Sequence, residues 1–273
     1  MTGHAVRRRR GGSGSRRRAV RAAAALLAVA ALVAGCGTGS SARVAVPHFR
    51  DGGSQLDARL SRAVERIPFT DESGRTVHLS DYAGRTIVLG DILTLCQEHC
   101  PIDTATFVQL AERYAADPSR RDDTVFLSVT VDPGRDTPAQ LAAYRRLYVG
   151  RASNLPQWHL LTAAPADLHR LWSFLHVYVH RVREDGGAGA TAPRNWRTGR
   201  PLTYDVDHGD DVFFIDGSGR ERWVFPDQPY LHGARVPARM QRFMSAEGQH
   251  NEGKGTWTTA EALQVLDWIH SSH

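Results

Sequence analysis

Cysteine is scarce in this chain, with three in 273 residues. Acidic residues are missing altogether from the first 35 positions, and the apolar run found there is short. Each shortage excludes something. The run Ala22 to Val33 is twelve residues long, whereas a membrane-crossing helix takes about 20. The first 35 residues hold eight arginines; without them the 34 basic residues fall to 26 against 29 acidic ones, and the formal charge of +5 becomes −3. The basicity therefore belongs to the leader, which sets aside a nucleic-acid-binding body. An apolar content of 41% is ordinary for a globular chain of one large or two small domains.

The leader reads as an export signal. "RRRRGGSGSRRRAVR" is a cationic n-region, and the apolar run behind it has the length of a signal-peptide core. It closes on Val33-Ala34-Gly35-Cys36, which resembles a bacterial lipobox. The expectation is a lipoprotein signal peptide over 1–35, with Cys36 as the new, lipid-carrying N-terminus at the outer face of the cytoplasmic membrane. An ordinary secretory cleavage site is the alternative. Ser15 to Val20 resembles a twin-arginine signal only in its arginines and lacks the usual Phe. With Cys36 taken, Cys96 and Cys100 are the remaining thiols, in a compartment that permits a disulfide. Residues 36–62 are Gly-, Ser- and Ala-rich and read as a flexible tether, leaving 63–273 as the folded domain.

Within that domain the patterning alternates. A short strand to Thr70, a turn over Asp71–Gly74 and a strand Thr76–Leu79 precede a buried strand Thr86 to Ile92. After Pro101, the spacing of Phe107, Leu110, Ala111 and Tyr114 predicts a helix. Thr124 to Val131 reads as another buried strand. It is followed by a helix with Asp136 or Thr137 as N-cap and Pro138 in the first turn. "PADLHRLWSFL" predicts a helix and "HVYVHR" a strand; "DVFFIDGSGRERWVF" predicts a hairpin turning at Gly217–Gly219. The last helix opens with a capping box, Thr258 and Glu261. Arg183 to Pro201 has no apolar period and reads as a long surface loop. The expected class is α/β, with a central mixed sheet flanked by helices. A Cys-x₃-Cys at a strand–helix junction makes a thioredoxin-like arrangement the natural expectation.

Cys96 and Cys100 admit three readings: a structural disulfide, a redox couple, or part of a metal site. The disulfide would close a tiny loop and add little. If the helix begins at or just after Cys96, both sulfurs share one turn, and the helix N-terminus favours thiolates. Thiolates serve exchange chemistry and soft metals alike. Two sulfurs with an imidazole suit copper, and also zinc. Among 13 histidines two are of interest. His99, between the cysteines, reads as solvated; His208 stands directly before an apolar strand, where a loop-borne ligand and a surface histidine are equally compatible with its position.

"DYAGRTIVLGDILTLCQEHCP", "VTVDPGRDTPAQLAAY" and "YDVDHGDDVFFIDGSG", in this order behind a lipobox, resemble the Sco/SenC family of copper chaperones, from about Ile67 to the last helix. The resemblance implies a thioredoxin-like fold with insertions and one copper held by two cysteines and a distant histidine. In this sequence those are Cys96, Cys100 and His208. It implies delivery to the binuclear CuA site of cytochrome c oxidase subunit II, or to another extracytoplasmic cuproprotein. It implies no enzymatic step, although some members reduce that site's cysteines. Asp132 and Asp136 are then expected to fix the turn into the next helix, and Asp207 is a candidate partner of the imidazole. This chain departs from the pattern in "ILTLC", in Gly209, and in the enlarged Arg183–Pro201 loop. The competing classes are a thiol–disulfide oxidoreductase, in which Cys96 attacks and Cys100 resolves, and a disulfide-stapled binding module.

Overall fold

The chain is described by a computed structural model at residues 1–3, 44–50, 52–149, 155–184, 193–250 and 253–272. It divides into Met1–Arg43 and Val44–His273. Beyond residue 3, the expected signal peptide and Cys36 lie outside the described residues. No helix among the described residues is long and apolar enough to cross a membrane.

The second unit is built on three parallel strands, β4 (Thr86–Ile92), β5 (Thr124–Thr130) and β6 (Trp158–Thr162). Parallel pairing requires crossovers, supplied by α2 (Cys100–Ala115) between β4 and β5 and by α3 (Pro138–Val149) between β5 and β6. The hairpin β9 (Val212–Ile215) and β10 (Glu221–Phe225) lies antiparallel on the free side of β4. β2 (Phe69–Asp71) and β3 (Thr76–Val77) extend the other edge. With β1 (Ser54–Gln55) the sheet runs β1-β10-β9-β4-β5-β6-β2-β3. This is the expected α/β, thioredoxin-like arrangement with a mixed sheet.

Strands covered on both faces need apolar side chains at every position rather than at alternate ones. Val88, Phe126, Leu160 and Phe214 face a core shared with α2, α3 and α7 (Thr259–Ser271). Leu89, Leu127, Leu161 and Phe213 face the opposite core, beneath α1 (Arg62–Glu65) and α4 (Pro165–Phe174). Two short helices, α5 (Ala238–Phe243) and α6 (Ala246–His250), precede α7. A separate two-stranded ribbon is formed by β7 (Val179–Arg183) and β8 (Tyr204–His208).

Several local expectations hold. The hairpin turns at Gly217–Gly219, with Asp216 N–H donating to the Arg220 carbonyl at 2.8 Å and Gly219 at φ +79°. Thr258 and Glu261 form both arms of the capping box. Thr137, rather than Asp136, caps α3, its Oγ1 accepting from Gln140 N–H at 3.4 Å.

Others are corrected. The strand expected over Thr76–Leu79 stops at Val77, because His78 and Asp81 cap a 3-10 turn over Leu79–Tyr82. β6 and β8 carry no strong strand signal in the sequence. Of the expected Arg183–Pro201 loop, residues 185–192 lie outside the described residues, whereas the part from 193 is a tight turn bridged at Arg194 and Pro201.

The tether expected over 36–62 is shorter than its composition indicates. Phe49 packs on Trp223 and Phe225, with centroids 5.6 and 5.7 Å away. β1 joins the sheet edge through β10, and Leu60 is buried. The glycines that look like flexibility serve close approach instead. Gly53 has φ +88°, and a Cβ there would stand 2.4 Å from the Trp223 indole nitrogen. Gly53→Ala is therefore expected to destabilise the domain by about 1–3 kcal/mol through the left-handed backbone alone, with the indole clash adding to it. Denaturant unfolding of the variant beside wild type measures this.

Candidate metal centre

After Ile92 the chain leaves β4 and turns once before α2 begins. Cys96 N–H donates to the Leu93 carbonyl at 3.1 Å, and Ile102 N–H to the His99 carbonyl at 2.7 Å. The helix starts at Cys100, with Pro101 in its first turn where no N–H is required. Cys96 thus sits on the turn, and only Cys100 is helical, which corrects the expectation of a shared helical turn. The thiols are still neighbours across this turn, close enough for each to shift the acidity of the other. Cys100 is 2% exposed, and Cys96 is half-buried at the mouth of a cavity of about 390 Å³.

The turn is pinned at Thr94, a residue with no exposed surface. Its N–H donates to Asp136 Oδ2 at 3.2 Å, and its hydroxyl donates to Asp136 Oδ1. Asp136 also accepts from the Thr130 hydroxyl at 2.7 Å. Burial raises this carboxyl to about 6, the Thr94 and Thr130 hydroxyls acting in the other direction. Asp132 has a second task besides its turn. It pairs with Arg135 and accepts from the Tyr204 hydroxyl at 3.0 Å, while the Arg135 and Arg181 guanidinium groups lie over the Tyr204 ring at 3.9 and 3.5 Å. Tyr204 opens β8, whose last residue is His208.

His208 therefore stands on a strand end rather than on a loop. Its Nε2 lies 3.5 Å from Cys100 Sγ. Its Nδ1 is 2.6 Å from the Gly209 carbonyl oxygen and 2.6 Å from Asp91 Oδ2. Ligating atoms of Cys100, His208 and Asp210 all fall within 4.8 Å of one another. His99 is not simply solvated: its Nδ1 is 3.2 Å from Asp210. Asp207 turns away and accepts from the Tyr178 hydroxyl at 3.1 Å. The residue at the imidazole is instead Asp91, a carboxylate inside the otherwise apolar β4. That break in an apolar strand is the signal in the sequence that marks it.

The charges follow from this packing. The hydrogen bond from Cys100 holds the Cys96 thiol below the ordinary thiol range, with burial opposing and the His208 charge assisting. The same bond, together with burial, pushes Cys100 well up. Burial works against a charged His208, but the Asp91 carboxylate more than offsets it and keeps the imidazole well above its usual value. Asp91 is itself raised by burial, against the pull of His208. In the metal-free pocket Cys96 is therefore the more acidic thiol of the pair, Cys100 keeps its proton to higher pH, and the neighbouring carboxylates favour the protonated ring of His208. A soft cation held there would replace protons on groups already gathered, with the contacts at Nδ1 leaving Nε2 toward Cys100 Sγ.

The SCO1/SenC family model matches residues 59–244. An SCO1 protein homolog from Bacillus subtilis (strain 168) is 31% identical over 111 residues. That match covers 41% of this chain, which spans about half of the relative's length, 54%. A SCO1/SenC family lipoprotein from Bacillus anthracis str. Ames superposes with a TM-score of 0.46 at 22% identity, covering 72% of this chain and 99% of that one. ScoI of Bradyrhizobium japonicum with copper bound gives 0.44 at 21% identity, covering 70% and 99%.

The thiol pair makes one direct prediction. In the reduced, metal-free protein iodoacetamide labels Cys96 first, with a pH midpoint below that of an ordinary thiol, because only thiolate reacts. Cys100→Ala removes the stabilising donor and moves that midpoint upward. An unchanged midpoint in Cys100→Ala means that the shared hydrogen bond does not set Cys96 reactivity.

Proposed function

The chain belongs to the SCO1/SenC family, and from that membership we propose a membrane-anchored copper carrier that holds one ion through Cys96, Cys100 and His208 and passes it to the CuA site of cytochrome c oxidase. The observation that supports this best is the 3.5 Å approach of His208 Nε2 to Cys100 Sγ across 108 residues of chain, with Asp91 behind the ring. Thiolate and imidazole donors together suit copper in either oxidation state. Copper is the cargo. The half-buried Cys96 faces the cavity mouth while Cys100 is enclosed, so an acceptor's thiolates meet the ion from the Cys96 side and replace the donors in turn. No substrate bond is broken, and the role is that of a chaperone rather than an enzyme. The signal peptide over 1–35 and a lipid on Cys36 hold the domain at the outer face of the cytoplasmic membrane in this reading.

A thiol–disulfide reductant is the second reading, favoured by the unequal thiols. Cys96, half-buried and the more acidic thiol, would attack a partner disulfide as its thiolate, releasing one partner thiolate and forming a mixed disulfide. Cys100 would then give up its proton and attack the Cys96 sulfur. The Cys96–Cys100 disulfide forms, and the partner leaves with both thiols reduced. The two readings exclude each other only in time, since oxidation of the ligands expels the metal.

Copper titration of the reduced full chain separates them. Wild type is expected to bind one equivalent, with sulfur-to-copper charge-transfer absorption for Cu(II). Both His208→Ala and the double variant Cys96→Ser/Cys100→Ser are expected to lose it. Asp91→Asn, which removes only the partner of the imidazole, is expected to weaken binding by roughly 10–100-fold. Copper binding indifferent to His208 would refute the carrier and leave the cysteines to disulfide exchange. The anchor has its own check: Cys36→Ala is expected to move the protein from the membrane fraction to the soluble one.

A further inference from the structure

Residues 193–202 form a closed tongue. Asn195 N–H donates to the Arg200 carbonyl, and Leu202 N–H to the Pro193 carbonyl, both at 2.8 Å. The Asn195 side chain accepts from the N–H groups of Arg197 and Thr198 at 2.8 and 3.0 Å, and Gly199 takes φ +70° to complete the turn. A tongue satisfied from within has no need of the body of the domain. Its tip nevertheless packs on the body, Trp196 lying 6.1 Å from the Tyr144 ring, and two of its contacts converge on Thr94.

The first route is direct. Trp196 Nε1–H donates to the Thr94 carbonyl at 2.7 Å. The second passes through α3. Arg197 Nε donates to Gln140 Oε1 at 2.7 Å, and Gln140 Nε2 donates to Thr94 Oγ1 at 3.0 Å. By engaging the amide oxygen, Arg197 fixes which end of Gln140 faces Thr94. The tongue is gripped from behind by Arg239 of α5, whose Nη2 donates to the Trp196 carbonyl at 2.7 Å and whose guanidinium lies 5.6 Å from the indole. Thr94 has an N–H, a hydroxyl that donates and accepts, and a carbonyl. The N–H and the hydroxyl proton go to Asp136; the carbonyl accepts from Trp196 of the tongue, and the hydroxyl oxygen accepts from Gln140, which Arg197 of the tongue orients. A buried carbonyl left unpaired is unfavourable, so the tongue decides how firmly Thr94, two residues before Cys96, is held.

We propose that the 193–202 tongue is a clasp on the cysteine turn, with Trp196 and Arg197 as positioning residues that keep the Cys96 thiol against Cys100. The enlarged segment then acts inward on the geometry of the site. This holds whether the thiols carry a metal or electrons, so its test is made without copper.

The test uses the reduced, metal-free full chain. Trp196→Phe leaves a ring in the slot and removes the N–H. Arg197→Ala changes an exposed side chain and removes the second route, so it leaves the fold intact. In each variant the backbone amides of residues 94–99 are expected to exchange hydrogen about 5–10-fold faster, the effect of one lost hydrogen bond. The amides of β5 are expected to keep their rate. Cys100, shielded in wild type, is expected to be labelled faster by iodoacetamide, and Arg197→Lys, which retains a donor, to restore most of the difference. Wild-type exchange at 94–99 in the folded variants overturns the proposal. So does a rise spread equally over β4 and β5, which would make the tongue a general stabiliser.

Discussion

Two carboxylates on one turn, Asp132 and Asp136, carry the geometry of the whole centre. The thiols and the imidazole arrive on different pieces of the fold: Cys96 on a turn, Cys100 on α2, His208 at the end of a ribbon outside the main sheet. Pairing of β9 with β4 brings the chain after His208 beside the chain before Cys96, but it holds neither the cysteine turn nor the ribbon itself. The turn after β5 holds both. Asp136 takes the N–H and hydroxyl of Thr94 and so holds the cysteine turn, while Asp132 takes the Tyr204 hydroxyl and so holds the strand that ends in His208. A buried carboxylate is tolerated only where hydrogen bonds replace its water. Asp136, with no exposed surface and three donors, meets that requirement.

Around this frame the electrostatics favour one kind of occupant. Asp91 and Asp210 close on the imidazole from two sides, at 2.6 and 3.9 Å from Nδ1. Cys96, the more acidic thiol, adds negative charge as it ionises. His208 and Cys100, both held well above their ordinary values, keep protons that balance part of this and that a cation would displace. The same charges disfavour an anionic ligand in the cavity. The pocket is thus selective by sign before any question of softness or coordination number arises.

Much of this was legible in the sequence, and the remainder was hidden for identifiable reasons. The buried strands announced themselves because both their faces are covered, which leaves β-branched and apolar runs without polar–apolar alternation, such as Thr124–Thr130. The last helix announced its own start, because a capping box is local chemistry. Of the residues the family resemblance implied, Cys100 and His208 approach to 3.5 Å, and Asp210 joins them in a cluster that the sequence did not indicate. Long-range bonds were not legible: Thr94 is an unremarkable threonine until Asp136 is folded against it from 42 residues away. Asp91 was visible as an anomaly in β4, but its partner was not, since nothing local links it to His208. Composition misled at residues 52–53, where glycine signals steric need, at Thr256 for Gly52 and at Trp223 for Gly53, and not freedom. Sequence proximity misled at Asp207, which neighbours His208 in the chain but points to the other face of the ribbon, as adjacent strand residues do.

The separateness of the β7–β8 ribbon has a mechanical consequence. In the proposed carrier, a metal bound between Cys100 and His208 would tie the ribbon to α2 and close a loop of 108 residues, as a covalent cross-link would. Loading would then tighten the fold by mass action, and unloading would loosen it at the ribbon, beside the exposed side chains Tyr178, Val179 and Val182. The rigidity of that corner of the surface would become a record of whether the ion is aboard, readable from outside by anything that touches it.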